Sequence, residues 1–337
     1  MAHRIETYDK QQGIKQAWHG LTEVCPELTL ENNWLAQWEL NPVTLQKHGA
    51  DSKWQILECS DVPELEIGQP YNPDTFRPIG NKAFLELVNA SIAGTDHKIV
   101  SVGSVRNRGR VFLSIELNGM DKFKSAGREF SAFLNFGNGH DKSSVLWVNT
   151  SNVCTVCDNT FGFNLVQVEN KESKDGADDI KMRLRHTKHA MLKLPGMATL
   201  IDKAIGVQAE FQIELDKLAS VKVSEDTAQS LFAGFIGRNV EPDKGLSTRA
   251  NNTVSRLVQL FRGGAGNNGR DMSDVFNAGT DYYTHESSGG QNNARQFVSN
   301  EYGAGQNNKA DLWRVVRSGD KTEETIARGE TLLAHTN

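Results

Sequence analysis

The chain has 337 residues and a formal net charge of −5, from 37 Lys and Arg against 42 Asp and Glu. Hydrophobic residues make up 38% and glycines number 30, a globular composition that excludes disorder along the whole chain. Four cysteines are too few for a disulfide framework, no apolar run approaches a membrane helix, and residues 1–6 do not begin a signal peptide, so we expect a soluble, cytoplasmic protein. The charge excludes a uniformly basic nucleic-acid-binding protein but permits a local basic surface.

The first third of the chain predicts strands, turns and one helix. Residues 1–70 are rich in tryptophan and poor in alternation, which favours short strands and turns. Apolar residues at helical spacing predict a helix over residues 81–93. A β-branched run then predicts a strand over Lys98–Val105, followed by a turn at residues 106–109 in which Gly109 is available for positive φ.

Four strands and a closing helix are predicted in the middle of the chain. In residues 110–117, Val111, Leu113, Ile115 and Leu117 alternate with Arg110, Phe112, Ser114 and Glu116, so we predict a half-buried strand with Phe112 opposite the aliphatic face. A second strand pair is predicted at Phe130–Phe136 and Val145–Thr150. Residues 153–165 are interpreted as a helix that closes this meander.

The remainder predicts a charged loop at residues 170–180 and then helices. A long helix from Pro195 to about Ser220 carries an apolar stripe that could pack on the sheet or on a second copy, so a homo-oligomer is possible. Further helices are predicted around Val254–Phe261 and Asp271–His285, with Gly-rich loops at 263–269, 287–290 and 303–305. The predicted fold class is α+β: an antiparallel β-meander packed by helices, with a mostly helical C-terminal part. We place the two domains at residues 1–223 and 224–337.

Two basic segments are the most informative feature for function. Residues 98–142 hold eight Lys or Arg against four acids, and residues 181–193 hold five Lys or Arg and no acid. Phosphates are the expected partner of such clusters, and interleaved aromatic rings suit single strands. We predict a nucleic-acid-binding protein, with a single-stranded DNA binding or annealing factor as the specific hypothesis. The alternative is a solvated surface with ordinary core phenylalanines, which explains the same pattern. Phe112 would stack a base, and the phosphate contacts would be Arg106, Arg108, Arg110, Lys122, Lys124, Arg128, Lys181, Arg183, Arg185 and Lys188.

Other motifs leave an alternative open but identify no catalytic residue. Cys154, Cys157, His186 and His189 could form a tetrahedral zinc site, but the gap of 28 residues is wrong for a compact finger and buried free thiols are the simpler interpretation. Residues 264–269 match GxGxxG but follow a helical pattern rather than a strand, so an interhelical loop is favoured. We therefore predict no cofactor. The alternative function is an enzyme or host-interaction factor that uses these Cys and His residues, with or without metal.

Several short motifs in a fixed order resemble one protein family. The motifs are Met1–Glu6, Trp18–Leu21, Gly103–Phe112, Gly139–Lys142, Val153–Thr160 and Phe276–His285. Together they resemble the phage- and plasmid-associated family known as domain of unknown function 932, over residues 1 to about 305. The resemblance implies a phage, prophage or plasmid setting and supplies no catalytic residue. Lys142 stands where the family motif has Gly, which argues against a strict need for Gly at that turn.

Overall fold

A computed structural model describes residues 33–93, 98–105, 108–117, 123–142, 145–154, 160–163, 182–187, 200–287 and 303–336. The fold is α+β, as predicted, with antiparallel sheets and a helical C-terminal part. Within these ranges the helices are all too short or too polar to cross a membrane.

A small sheet and one helix begin the described chain. After a 3-10 turn at Trp34–Gln37, strands β1 (Leu40–Lys47), β2 (Ala50–Cys59) and β3 (Glu66–Tyr71) pair in that order, antiparallel throughout. Helix α1 (Asn81–Ile92) confirms the prediction for residues 81–93. Its N-cap, Gly80, has no side chain, and the Glu39 carboxylate instead accepts hydrogen bonds from the backbone N–H groups of Asn81 and Lys82, both at 2.8 Å. These bonds satisfy donors that a helix start leaves unpaired.

A seven-stranded sheet follows. Its strands are β4 (Lys98–Val105), β5 (Arg110–Glu116), β6 (Phe123–Ser125), β7 (Arg128–Gly139), β8 (Leu146–Cys154), β9 (Thr160–Phe163) and β10 (Met182–Leu184). The spatial order is β10-β8-β7-β5-β4, with β6 paired to β7 and β9 to β8. The four strands predicted from the sequence at residues 98–105, 110–117, 130–136 and 145–150 are therefore confirmed as β4, β5, β7 and β8.

Three sequence predictions about this sheet and its neighbours are wrong. Strand β5 is buried on both faces rather than half-buried, because Phe112 and Ser114 are as inaccessible as the aliphatic residues between them. Residues 153–165 contain no closing helix in the part that is described, since β8 runs on to Cys154 and residues 160–163 form β9. The Gly-rich stretch 303–305 is not a loop: Ala304 starts a helix, with Gly303 as its N-cap.

Seven α-helices lie in the described ranges, and six of them follow the sheet. These six are α2 (Leu200–Ser220), α3 (Glu225–Ile236), α4 (Thr248–Gly263), α5 (Met272–Asp281), α6 (Ala304–Arg317) and α7 (Gly319–Ala334). Helix α5 continues into a π-helical turn at Tyr282–Glu286. Helices α3 and α7 are in close contact at Gly234 and Gly329, where an added Cβ would collide with the backbone oxygen of Thr325 or of Ser230, respectively.

The chain forms two compact units. One comprises Met1–Asp121, Ala132–Ser151 and Phe163–Val207, and the other Lys122–Ser131, Asn152–Gly162 and Gln208–Asn337. The domain boundary near residue 223 stays a prediction. In the second unit, rings of Phe130, Phe211, Trp313 and Phe276 form a chain of contacts at 4.8–6.0 Å between centroids. Phe211, Leu215 and Leu218 of the predicted stripe are buried within a single copy of the chain, and the homo-oligomer stays a prediction.

Candidate functional site

One end of the seven-stranded sheet gathers residues from both basic segments. The antiparallel register pairs Arg110 with Gly139 and Leu184 with Leu146. Strands β5 and β8 therefore begin, and β7 and β10 end, at the same end of the sheet. We call it the turn end and define it by Arg108, Arg110, His140, Lys142, Arg185 and His186. All six belong to the first compact unit. The two segments are separated by residues 143–180 in the sequence, and antiparallel pairing brings them together.

Arg108 holds the turn between β4 and β5 against the protein. Its guanidinium lies over the rings of Trp34 and Trp38, 5.0 and 4.8 Å from the centroids, and pairs with Asp61 at 2.5 Å. Its φ of +61° puts the left-handed backbone conformation at Arg108, whereas the sequence had offered Gly109 for it. The packed and ion-paired guanidinium mainly stabilises the turn, so Arg108 is poorly placed to contact a phosphate.

Two buried histidines lie beneath this turn. Asn138 donates from Nδ2 to the Ile79 carbonyl at 2.7 Å and lies 3.1 Å from His140 Nε2, so that ring nitrogen accepts and Nδ1–H donates to the Arg108 carbonyl. His186 accepts the Ile79 N–H at Nδ1, which leaves its proton on Nε2. Burial is the main cause that lowers the pKa of each histidine to about 4, and His140 further lowers the pKa of His186. Both rings are therefore neutral near pH 7.

This histidine cluster contains unsatisfied polar atoms. Trp38 Nε1, Asn138 Oδ1 and His186 Nε2 are buried and have no hydrogen-bond partner within the part of the chain that the structure describes. Trp38 packs edge-on against His140 with 5.8 Å between ring centroids. Because an orphaned buried polar group costs free energy, the cluster is a weak point of the first unit.

An aromatic ring lies across β7 on the face of the sheet that carries Phe112, but it is not the ring expected from the sequence. Phe112 is only 3% exposed and has no open face on which a base could stack. Its register partner on β7 is Gly137, and an added Cβ at 137 would coincide with the indole of Trp147 on β8. Trp147 therefore lies across Gly137, and it is half-buried. Its own register partner on β10 is Arg183.

Lys142 is exposed on the loop that follows β7. Its φ is +63°, a left-handed conformation that favours glycine and costs a lysine about 1–2 kcal/mol. Its Nζ donates to the Pro70 carbonyl at 2.7 Å. Backbone strain of this kind is concentrated at functional sites. A glycine would adopt this backbone conformation without that cost.

Arg128, another predicted phosphate contact, is buried in the second unit. It forms an ion pair with Asp274 and donates to the Gly266 carbonyl, Ser273 Oγ and Asn267 Oδ1 at 2.9–3.1 Å. Asp274 also accepts the Arg270 N–H at 2.9 Å. The same network fixes the loop that matches GxGxxG, which confirms that this stretch connects two helices. A guanidinium with these partners is structural, so Arg128 is poorly placed to contact a phosphate.

For the other predicted residues, the structure gives the backbone position or the exposure alone, or does not describe the residue. Arg185 is exposed at the turn end. Lys124 and Arg183 belong to β6 and β10, where the structure describes the backbone alone. Among the zinc candidates, Cys154 ends β8 and His186 takes part in the buried cluster. Arg106, Lys122, Lys181, Lys188, Cys157 and His189 lie outside the described residues.

Sequence reasoning missed Trp147 and Lys142 as site residues. The signal for Trp147 was present. It lies between Leu146 and Val148, which are buried on one face of β8, so alternation puts Trp147 on the opposite face. Lys142 had been counted only as charge, and its left-handed backbone carries no signal in a single sequence.

The geometry defines an α+β protein with a basic surface at one end of an antiparallel sheet. The chain belongs to the family described as Domain of unknown function (DUF932), whose model matches residues 72–330. Four of the six motifs quoted above lie in that range, and Met1–Glu6 and Trp18–Leu21 precede it. No curated protein and no solved structure matches the chain.

Proposed function

We propose that the protein binds single-stranded DNA at the turn end of the sheet. Arg110, Lys142 and Arg185 contact phosphates, and Trp147 stacks a base. Such a protein, carried by a phage or plasmid, serves strand binding or annealing in DNA recombination. The observation that supports this proposal is the convergence of the two basic segments on one end of one sheet.

The strand spacing supports a continuous binding surface. In the register of β10 with β8, Arg183 is the residue paired with Trp147. Strands β5 and β10 are three strand spacings apart, about 14 Å, with Trp147 between them. Cations on both sides of an aromatic ring suit a single strand, whose backbone follows the charges while its bases stack.

The acidic neighbours limit the surface without cancelling it. Asp61 is engaged by Arg108, which removes the charge of that carboxylate from the turn end. Asp141 is half-buried beside Lys142, and Gly68 packs directly on its backbone. Arg110, Lys142 and Arg185 bring three positive charges to this end of the sheet, and Asp141 brings one negative charge.

The test is fluorescence anisotropy with labelled single-stranded DNA, duplex DNA and single-stranded RNA of one sequence, over a salt series. The variant combines Arg110→Gln, Lys142→Gln and Arg185→Gln. Each phosphate contact with a single strand contributes about −0.7 to the slope of log K against log salt. We expect the slope for the variant to be less steep than that of wild type by about 2, and the circular dichroism spectrum to be unchanged.

A matched variant removes three exposed cations from the helices of the second unit: Lys244→Gln, Arg249→Gln and Arg314→Gln. It has the same net charge as the test variant and should bind like wild type. Equal loss in the two variants would show that net charge, not the turn end, controls binding. The absence of single-strand binding at low salt overturns the proposal.

A further inference from the structure

An open groove lies between the 3-10 turn at Trp34–Gln37, the residue that follows β2 and one face of α1. Its volume is about 830 Å³, within the range of about 300–1,000 Å³ that small-molecule sites occupy. We call it the α1 groove and define it by Gln37, Ser60, Lys82, Leu85, Glu86 and Asn89. All of these residues belong to the first compact unit.

The α1 groove has an apolar floor and a polar rim. Leu35, Trp38 and Leu85 line it and are at most 7% exposed, whereas the side chains of Lys82 and Glu86 are exposed. An apolar floor with a small number of polar groups around it can hold a flat organic ring and fix its orientation.

The groove is not suited to a phosphate. Glu39 also lines it, and its carboxylate accepts hydrogen bonds from the backbone N–H groups of Leu40, Asn81 and Lys82 at 2.8–2.9 Å. The N-terminus of α1, where an anion would otherwise bind, therefore already faces a carboxylate. Two glutamates and one lysine line the groove, so a phosphate would meet a net negative charge. A neutral ring avoids this repulsion.

Lys82 and Glu86 bring a hydrogen-bond donor and an acceptor to the same wall of the groove. They are four residues apart on α1, so their Cβ atoms lie about 5–6 Å apart on one face of the helix. The ammonium group only donates hydrogen bonds, and the carboxylate only accepts them. Guanine matches this order, because its acceptors N7 and O6 are followed by the donors N1–H and N2–H₂. Adenine has the donor and the acceptor reversed.

We propose that the α1 groove binds a guanine base. The Glu86 carboxylate accepts from N1–H and N2–H₂, Lys82 donates to O6, and the ring lies on the apolar floor. The base belongs either to a free nucleoside or to a strand bound at the turn end, and this second source rests on the proposed function. The groove adjoins the turn end at Trp38, because the Arg108 guanidinium lies over the Trp38 ring, 4.8 Å from its centroid.

The experiment is calorimetry of the full chain with guanosine, inosine and adenosine. Inosine lacks the 2-amino group of guanosine. Because a hydrogen bond to a carboxylate is strong, we expect guanosine to bind about tenfold more tightly than inosine, and adenosine to bind more weakly still. Glu86→Ala, at an exposed helical position, should weaken guanosine binding at least tenfold and remove its advantage over inosine. Glu64→Ala removes an exposed carboxylate outside the groove and should leave binding unchanged.

A second measurement identifies the source of the base. Anisotropy compares a labelled oligothymidine with the same strand carrying one central guanine, in wild type and in Glu86→Ala. Tighter binding of the guanine strand by wild type alone assigns the groove to a base of the strand. Equal binding of the two strands, with guanosine bound in calorimetry, assigns it to the free nucleoside.

Three results overturn the proposal: no guanosine binding at millimolar concentration, equal binding of adenosine and guanosine, or an unchanged preference for guanosine in Glu86→Ala. The variant with Arg110→Gln, Lys142→Gln and Arg185→Gln separates this proposal from the proposed function. It should keep the guanosine affinity of wild type, whether or not wild type binds single strands.

Discussion

The guanidinium of Arg128, on β7, donates to four acceptors near the start of α5. Its partner Asp274 also accepts hydrogen bonds from backbone N–H groups. At the turn end of the sheet, His140 and His186 are equally buried but neutral, and the atoms around them include unpartnered donors and an acceptor. The first region holds full charges because every charge is paired. The second avoids charge and leaves hydrogen bonds unmade. Burial alone therefore does not tell which polar cluster stabilises the fold.

The largest effect is expected from a substitution that breaks the ion pair of Arg128 and Asp274. Arg128→Met leaves Asp274 buried without its cation and should cost about 3–5 kcal/mol in the free energy of unfolding. Urea denaturation measures it. Arg314→Met, which removes an exposed partner of Asp311, should cost about 0.5 kcal/mol or less. Similar losses in the two variants would show that the Arg128 pair contributes no more than a surface pair.

Acid should destabilise the fold by protonating the two buried, neutral histidines, His140 and His186. In the unfolded chain each histidine takes up a proton below about pH 6.5, whereas in the folded protein it does so only below about pH 4. The unfolded state binds more protons between these values, so stability falls as pH drops from 6.5 to 4, by about 3 kcal/mol for each histidine. At pH 7 the contribution is complete. Urea denaturation between pH 7 and 4.5 measures the loss.

The double variant His140→Gln and His186→Gln isolates this contribution from that of other titrating groups. Its free energy of unfolding should depend less steeply on pH than that of wild type. Parallel pH profiles for the two proteins would contradict the assignment of acid sensitivity to these rings.

A smaller effect concerns the ring at the turn end. Trp147→Leu should weaken single-strand binding by about 1–3 kcal/mol, the range for loss of one stacked base, while the salt slope stays unchanged. Anisotropy titrations at several salt concentrations measure both quantities. Phe112→Leu offers the contrast, because the buried ring should affect stability and leave affinity unaltered. The reverse pattern would assign the stacking role to Phe112.

The smallest effect separates stability from binding at a single position. Lys142→Gly relieves the left-handed backbone but adds unfolded-state entropy, so we expect a net stabilisation of about 0.5–1 kcal/mol. The same change removes a proposed phosphate contact and should reduce the salt slope by about 0.7. Urea denaturation and anisotropy on the same sample give the two numbers. A variant that is less stable than wild type would show that the lysine is not strained there.

Local patterns in the sequence predicted much of the sheet and of the helical part. Strand β4 follows from a β-branched run and β5 from alternation, β7 and β8 were predicted as a second pair, and α1, α4 and α5 were predicted as helices. Periodicity shows which residues share a face of a strand, but it does not show what covers each face. The burial of Phe112 was missed for this reason. Arg128 and Asp274 are 146 residues apart, so charge counting could not show that this arginine is already neutralised.

The candidate site was predicted only in part for the same reason. The basic segments were identified from composition, but their meeting at one edge depends on the register of β10 with β8. Trp147 could have been recognised from alternation within β8. The left-handed backbone of Lys142 could not, because no pattern in a single sequence specifies it.

The crossing of α3 and α7 at Gly234 and Gly329 has a consequence for how this chain can vary. At each glycine the obstacle to a side chain is a main-chain oxygen of the opposite helix, and every amino acid carries that atom. A second mutation that trims a neighbouring side chain therefore cannot rescue a first one at either position. The two sites are closed to compensatory evolution, and descendants of this sequence should retain glycine at both as long as the two helices cross there.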